Sequence, residues 1–153
     1  MTAPVQRTTV EGVLGNHEKR VGILEAVPSF GNYEIKVVAD ASALATGDGQ
    51  FIFAIPSDLN GTDLLDAQAF VTTVATGATL ITVQIRNVTQ TADMLSTRIT
   101  IDASEFTSYT AATPRVINVA NSGVVTGDLI AIDVDAVGNT TPGQGLGVIL
   151  RFA

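Results

Sequence analysis

The sequence predicts an all-β domain, and three observations carry that prediction. Val (18), Ile (12) and Thr (20) make up about a third of the 153 residues. These β-branched types are stiff at χ1 and suit a pleated surface. Short runs in which apolar and polar residues alternate at period two lie between clusters of Gly, Asn, Asp and Pro. No stretch repeats its apolar residues at helical spacing. The length suits one domain, and an apolar content of 46% is enough for a core.

The chain divides into two parts by charge. Residues 1–45 carry four basic and five acidic side chains, whereas residues 46–153 carry four arginines against ten acids. A run of small residues, Ala39 to Gly49, sits at the join and reads as a connection. The expected organisation is therefore an N-terminal arm and connection over 1–45 and a β-sandwich domain over 46–153. Within the arm, Gly12, Gly15, Gly22 and Gly31 punctuate short apolar pieces, and residues 1–32 look extended. Val5, Val10, Val13, Leu14, Val21, Ile23 and Leu24 are its apolar contacts, suited to adding to another subunit's sheet edge through main-chain hydrogen bonds. An ordinary terminus with one edge strand is the plainer alternative.

The strands follow in order. Tyr33–Val38 is a candidate first strand. Gln50–Ile55 is apolar on both faces and stops at Pro56, which predicts a buried strand with Phe51 and Phe53 in the core. Asn60-Gly61 offers a tight turn. From Leu65 to Val74, Leu65, Ala67, Ala69 and Val71 alternate with polar residues. Ile81, Val83 and Ile85 alternate with Thr82, Gln84 and Arg86, the cleanest period-two signal in the chain. A polar loop over 87–96 leads to Arg98–Asp102, which buries every second residue. Val116–Val119 follows Pro114 as a short strand. After turn clusters at 121–123 and 126–128 comes Leu129–Val137, with Ile130, Ile132, Val134 and Ala136 on one side. Gly147–Phe152 is the last strand, with Phe152 in the core. Strands at this spacing predict an antiparallel sandwich or jelly roll.

Composition excludes several classes of function. The net charge is −7 and only Lys19 and Lys36 are lysines, so the clustered cations that hold phosphates or anionic lipid are missing. No nucleic-acid or membrane partner is expected. No run of about eighteen apolar residues spans a bilayer, and the first residues have no apolar signal region. With no cysteine there is no disulfide, thiolate metal site or Cys nucleophile. Synthesis in a reducing cytoplasm is expected.

No catalytic, cofactor or metal site can be argued from the residues. A Ser-His-Asp triad needs a packed histidine, and the one histidine, His17, lies in the arm beside Glu18 and Lys19. Asp133 and Asp135 share one face of a strand. Two carboxylates there suit a Ca²⁺ ion or a glycosidic bond, but solvent-facing positions opposite buried Ile132 and Val134 are the preferred reading. Asp58–Asp63 has its acids at the wrong spacing for a calcium loop and is a Gly turn. Phe106 and Tyr109 are the one candidate pair of exposed rings, a possible surface-binding loop, with core or interface filling as the alternative.

Low charge and many small residues suit a protein that is itself a building part, since charge is depleted at interface cores. Several segments also resemble a β domain of tailed-bacteriophage virion proteins: Gly49–Pro56 with Leu59-Asn60-Gly61, Thr82–Thr89, Asp93–Thr97, Gly127–Val137 and Gly145–Leu150. The resemblance covers about residues 47–153 and rests on strands and turns. It implies a jelly-roll-like antiparallel β-sandwich on the outside of the virion, here preceded by an extended N-terminal arm. A chain similar to the capsid decoration (cement) type, small and carrying an arm, implies a homotrimer that binds the major capsid protein on the outer surface of the head and stabilises the shell. A tail-tip or tail-fibre receptor-binding protein is the alternative. Either is made in the bacterial host cytoplasm.

Overall fold

The computed structural model describes residues 31–153. Ten strands follow one another there. They are β1 (Gly31–Lys36), β2 (Gly47–Ala54), β3 (Leu64–Phe70), β4 (Ile81–Asn87) and β5 (Ala92–Asp93), then β6 (Leu95–Thr97), β7 (Ile99–Ile101), β8 (Val116–Ile117), β9 (Leu129–Ala136) and β10 (Gly147–Phe152). Short 3₁₀ turns cover Ser57–Leu59, Ser108–Thr110 and Val119–Asn121. Every strand pairing is antiparallel, so the fold is all-β.

A smaller sheet has the order β1-β10-β3, and a larger one runs β2-β9-β4 with β5 and β7 both on the far side of β4. β6 and β8 form a separate two-stranded piece. The pleat turns alternate residues of each strand to one side, and those sides meet. From the larger sheet come Ile81, Val83 and Ile85 of β4 with Ile130, Ile132 and Val134 of β9, all buried. The smaller sheet contributes Ala67, Ala69, Val148, Leu150 and Phe152 to the same core. Each fully buried Ile, Leu or Phe contributes about 1.5–3 kcal/mol relative to exposure. Tyr33 of β1 lies edge-on to Phe152, ring centres 6.2 Å apart. Burial, with Asp58 adding to it, pushes the Tyr33 hydroxyl pKa up.

The far side of β4 is interrupted, and Gln84 repairs the gap. β5 pairs with Arg86 and Asn87, and Met94 N–H reaches Ile85 O at 2.9 Å. The chain then bulges outward before Ile99 returns opposite Val83. Across the bulge the buried Gln84 amide stands in for the missing backbone rung. Its nitrogen donates to Leu95 O at 3.1 Å and its oxygen accepts from Leu95 N–H at 3.3 Å.

Several expectations are corrected. The stretch Gln50–Ile55 is not a buried strand: among the described residues β2 is the outermost strand of the larger sheet, with Phe51 37% and Ile52 51% exposed. Phe51 therefore lies outside the core, Phe53 packs against it half-buried, and Phe152 is inside it. Leu65 is exposed and Leu64 takes its place inside, because the β3–β10 register shifts between Arg151 and Phe152. The strand at Val116 ends at Ile117, and Val119 is 83% exposed on a 3₁₀ turn. The loop over 87–96 contains β5 and the buried Met94 and Leu95. Finally, the folded unit reaches upstream of the expected 45/46 boundary. β1 pairs along its whole length with β10, and Leu44 is buried in the connection.

Candidate functional site

The outer face of the larger sheet holds a network of acids and arginines. Cross-strand pairing sets Gln84 opposite Asp133 and Arg86 opposite Ala131. Arg86 thus reaches diagonally to Asp133, with Nε–Oδ2 at 2.7 Å and Nη2–Oδ1 at 3.1 Å. Asp133 Oδ1 also accepts from Gly49 N–H at 2.6 Å, where β2 shifts register between Gly47 and Phe51. Asp133 is consequently buried, which corrects its expected solvent-facing role, although its face is the one the alternation predicts. The hydrogen bond to Asp133 raises the Arg86 pKa further, against a lowering by burial.

Asp135, exposed on the same face, pairs with Arg98 at 2.7 Å. Burial raises its carboxyl pKa, Arg98 lowers it, and Asp133, Asp48 and Asp93 raise it again, leaving it above the ordinary value. Both carboxylates are thus held by arginines. Among the described residues no group of three or more His, Cys, Asp or Glu is placed to hold a metal ion. Beside this network the bulge of β6 leaves a hollow of about 380 Å³ between Thr82, Gln84, Asp93, Thr97, Arg98 and Thr100. The hollow offers hydroxyls around one arginine that is already paired.

The Asp58–Asp63 stretch is a turn, as its glycine requires. Thr62 N–H donates to Leu59 O at 3.1 Å, and Gly61 takes φ +77°, a conformation glycine adopts without strain. Asp63 accepts from Ser122 Oγ at 2.9 Å.

Phe106 and Tyr109 project from the loop between β7 and β8, 57% and 64% exposed. The loop is stitched to the edge of β3. Val71 N–H donates to Phe106 O at 2.8 Å and Ala69 N–H to Ser108 Oγ at 2.9 Å. With its amide turned to donate to Ser108 Oγ (2.6 Å), Gln68 accepts from Arg115 Nε at 3.2 Å. Arg115 also pairs with Asp66. These contacts hold the loop against β3 and leave its two rings facing out. They are held on one loop without stacking on each other, and the aromatic pair found among the described residues is Tyr33–Phe152.

Sequence reasoning missed most of the exposed apolar surface. Besides the two rings it comprises Phe51, Ile52 and Leu129 around β2, Val125 on the preceding turn, and Leu65, Val116 and Val119. Leu65, Ile117 and Val119 line a groove of about 350 Å³. Period-two alternation marks which residues share a face, but not which faces stay open. The predicted arm contacts Val5, Val10, Val13, Leu14, Val21, Ile23 and Leu24, and His17, lie outside the described residues. No helix among the described residues is long and apolar enough to cross a membrane. No family model, curated protein or solved structure matches the chain.

Proposed function

We propose that the chain is a bacteriophage capsid decoration (cement) protein with a jelly-roll domain. The observation that carries this reading is the exposed apolar surface, nine large apolar side chains among the described residues of a chain poor in charge. A building part needs such a surface to cover, because single scattered apolar residues are ordinary but grouped ones mark contacts. The strand orders support the jelly-roll winding. β1-β10-β3 and β2-β9-β4 alternate between sheets as two nested Greek keys do, an architecture used by viral capsid and lectin domains. Fold alone does not assign function, so the virion role rests on the resemblance in 47–153 together with that surface.

The mechanism is mechanical. Copies associate as a homotrimer on the outer head and bridge major capsid subunits. The segment before β1 tethers them, and each bridge adds buried area that shell expansion must break. Gold-labelled antibody on purified particles tests this: label over the head in many copies is expected. Label confined to the tail tip would transfer the role to adsorption, the second reading, which the outward rings of Phe106 and Tyr109 favour. No label on any particle overturns both. Deleting residues 1–30, a cut that spares β1, is expected to abolish shell binding while the thermal melt stays cooperative.

A further inference from the structure

We propose that Asp48-Gly49 is a latent self-modification site kept closed by the side chain of Asp133, and that Val124 closes Asn60-Gly61 in the same way. This goes beyond the proposed virion role and does not depend on it. These are the two places in the sequence where Asp or Asn precedes glycine. Such pairs are chemically weak points, because glycine has no Cβ to hinder its own nitrogen. That nitrogen can bond to Cγ of the preceding side chain and close a succinimide ring. Its proton leaves with the Cγ hydroxyl as water at Asp48, or with the Cγ amino group as ammonia at Asn60. Water then opens the ring at either carbonyl. Opening on the main-chain side gives isoaspartate, whose backbone runs through Cγ and is one carbon longer. Asp48 and Asn60 are both exposed, so water reaches them.

The fold withholds the attacking nitrogen at each site. Gly49 N–H donates to Asp133 Oδ1 at 2.6 Å, and Arg86 holds that carboxylate in turn. Asp133 is buried, so stripping the proton from Gly49 would set a second negative charge beside the first with little water to screen it. At the other site Gly61 N–H donates to Val124 O at 2.9 Å, and Asn60 Oδ1 accepts from Thr126 N–H at 3.0 Å. Ring closure at Asn60 must give up both bonds. At Asp48 the protection bears on the nitrogen, and at Asn60 it bears on both reacting groups. The products would be harmful where they lie. Isoaspartate at position 48 lengthens the chain just before Phe51 pairs with Ile132. A carboxylate at position 60 puts a third charge between Asp58 and Asp63.

The full-length protein is aged in near-neutral buffer, folded and in urea, and peptide mapping by mass spectrometry reads succinimide and isoaspartate at both sites. Formation is expected to be about tenfold or more slower in the folded protein at both, since reaction must wait for local opening. Equal rates folded and unfolded at either site overturn the proposal. Asp133→Ala removes the acceptor of Gly49 N–H, and it is expected to raise the rate at Asp48 about tenfold while Asn60 keeps the parent's rate. Asp133→Asn keeps an oxygen for Gly49 N–H and is expected to stay near the parent. No rise with alanine, or an equal rise with asparagine, overturns the proposal. A rise at both sites in Asp133→Ala marks loss of the fold, and hydrogen exchange in the parent then decides. Protection of the Gly49 and Gly61 amides by about tenfold or more supports the proposal, and free exchange at either overturns it. Because no particle is involved, failure here leaves the decoration reading to its own test.

Discussion

At the residue scale the polar groups inside the fold show how much depends on pairing. Asp128 is buried beside the start of β9, and its Oδ2 accepts from Asn87 Nδ2 at 2.8 Å, Gln90 Nε2 at 2.5 Å and Val125 N–H at 3.1 Å. Burial alone would raise its carboxyl pKa, but these three donors outweigh it and the pKa lies below 3.8. A carboxylate whose folded value is depressed contributes stability that is fully present above the ordinary value and is lost as pH falls through the depressed one. Asp128→Ala is expected to lower stability at pH 7 by about 3 kcal/mol, since the buried Asn87 amide loses its acceptor, as do Gln90 and the Val125 N–H. Urea unfolding measures this, and the variant should lose less stability than the parent on acidification below pH 3.8. Sequence alone did not mark Asp128, because its three partners come from another strand, a loop and a turn. Asp133 shows the same limit. Alternation places it on the outer face, but Arg86, which covers it, is 47 residues away.

At the scale of elements, the alternation of β4 was legible because both neighbours and the core act on it at once. Gln84 was not. Its polar side chain reads as a solvent position, whereas it is buried as a substitute for backbone across the bulge. Gln84→Leu keeps the volume and removes both hydrogen bonds to Leu95, and with them the one that Gln84 Oε1 accepts from Ile85 N–H at 3.0 Å. It is expected to cost about 2 kcal/mol and to free the β6 segment, seen as faster hydrogen exchange at Leu95. The loop before β8 gives the opposite expectation. Phe106→Ser and Tyr109→Ser remove exposed rings, so stability should stay within about 0.5 kcal/mol of the parent. Any loss of particle binding by these variants would then report on contact and not on folding. β2 was misread for a reason of topology. Apolar residues on both faces signal burial in a central strand, yet strand order, which local pattern does not encode, sets β2 at an edge among the described residues.

On the scale of the whole molecule, both sheets share one core, so they are expected to melt together. Val83→Asp in the larger sheet and Leu150→Asp in the smaller each bury an unpaired charge. Each is expected to abolish the same cooperative transition in calorimetry, and a surviving partial transition in either would show two independent units. The all-β class was legible from composition and alternation. The boundary at 45/46 was not, because β1 joins the sheet through β10, more than a hundred residues later in the chain. That pairing has a consequence for how the molecule is made. β10 lies between β1 and β3, and β9 between β2 and β4. A chain leaving the ribosome thus holds β1, β2 and β3 without their partner strands, and β4 with β5 and β7 alone, until its last quarter is synthesised. Closure must wait for long-range pairing, which is slow, in the range of milliseconds to seconds. During that wait the early strands are open to chance partners. The sheets are completed from the middle outward, in one late event.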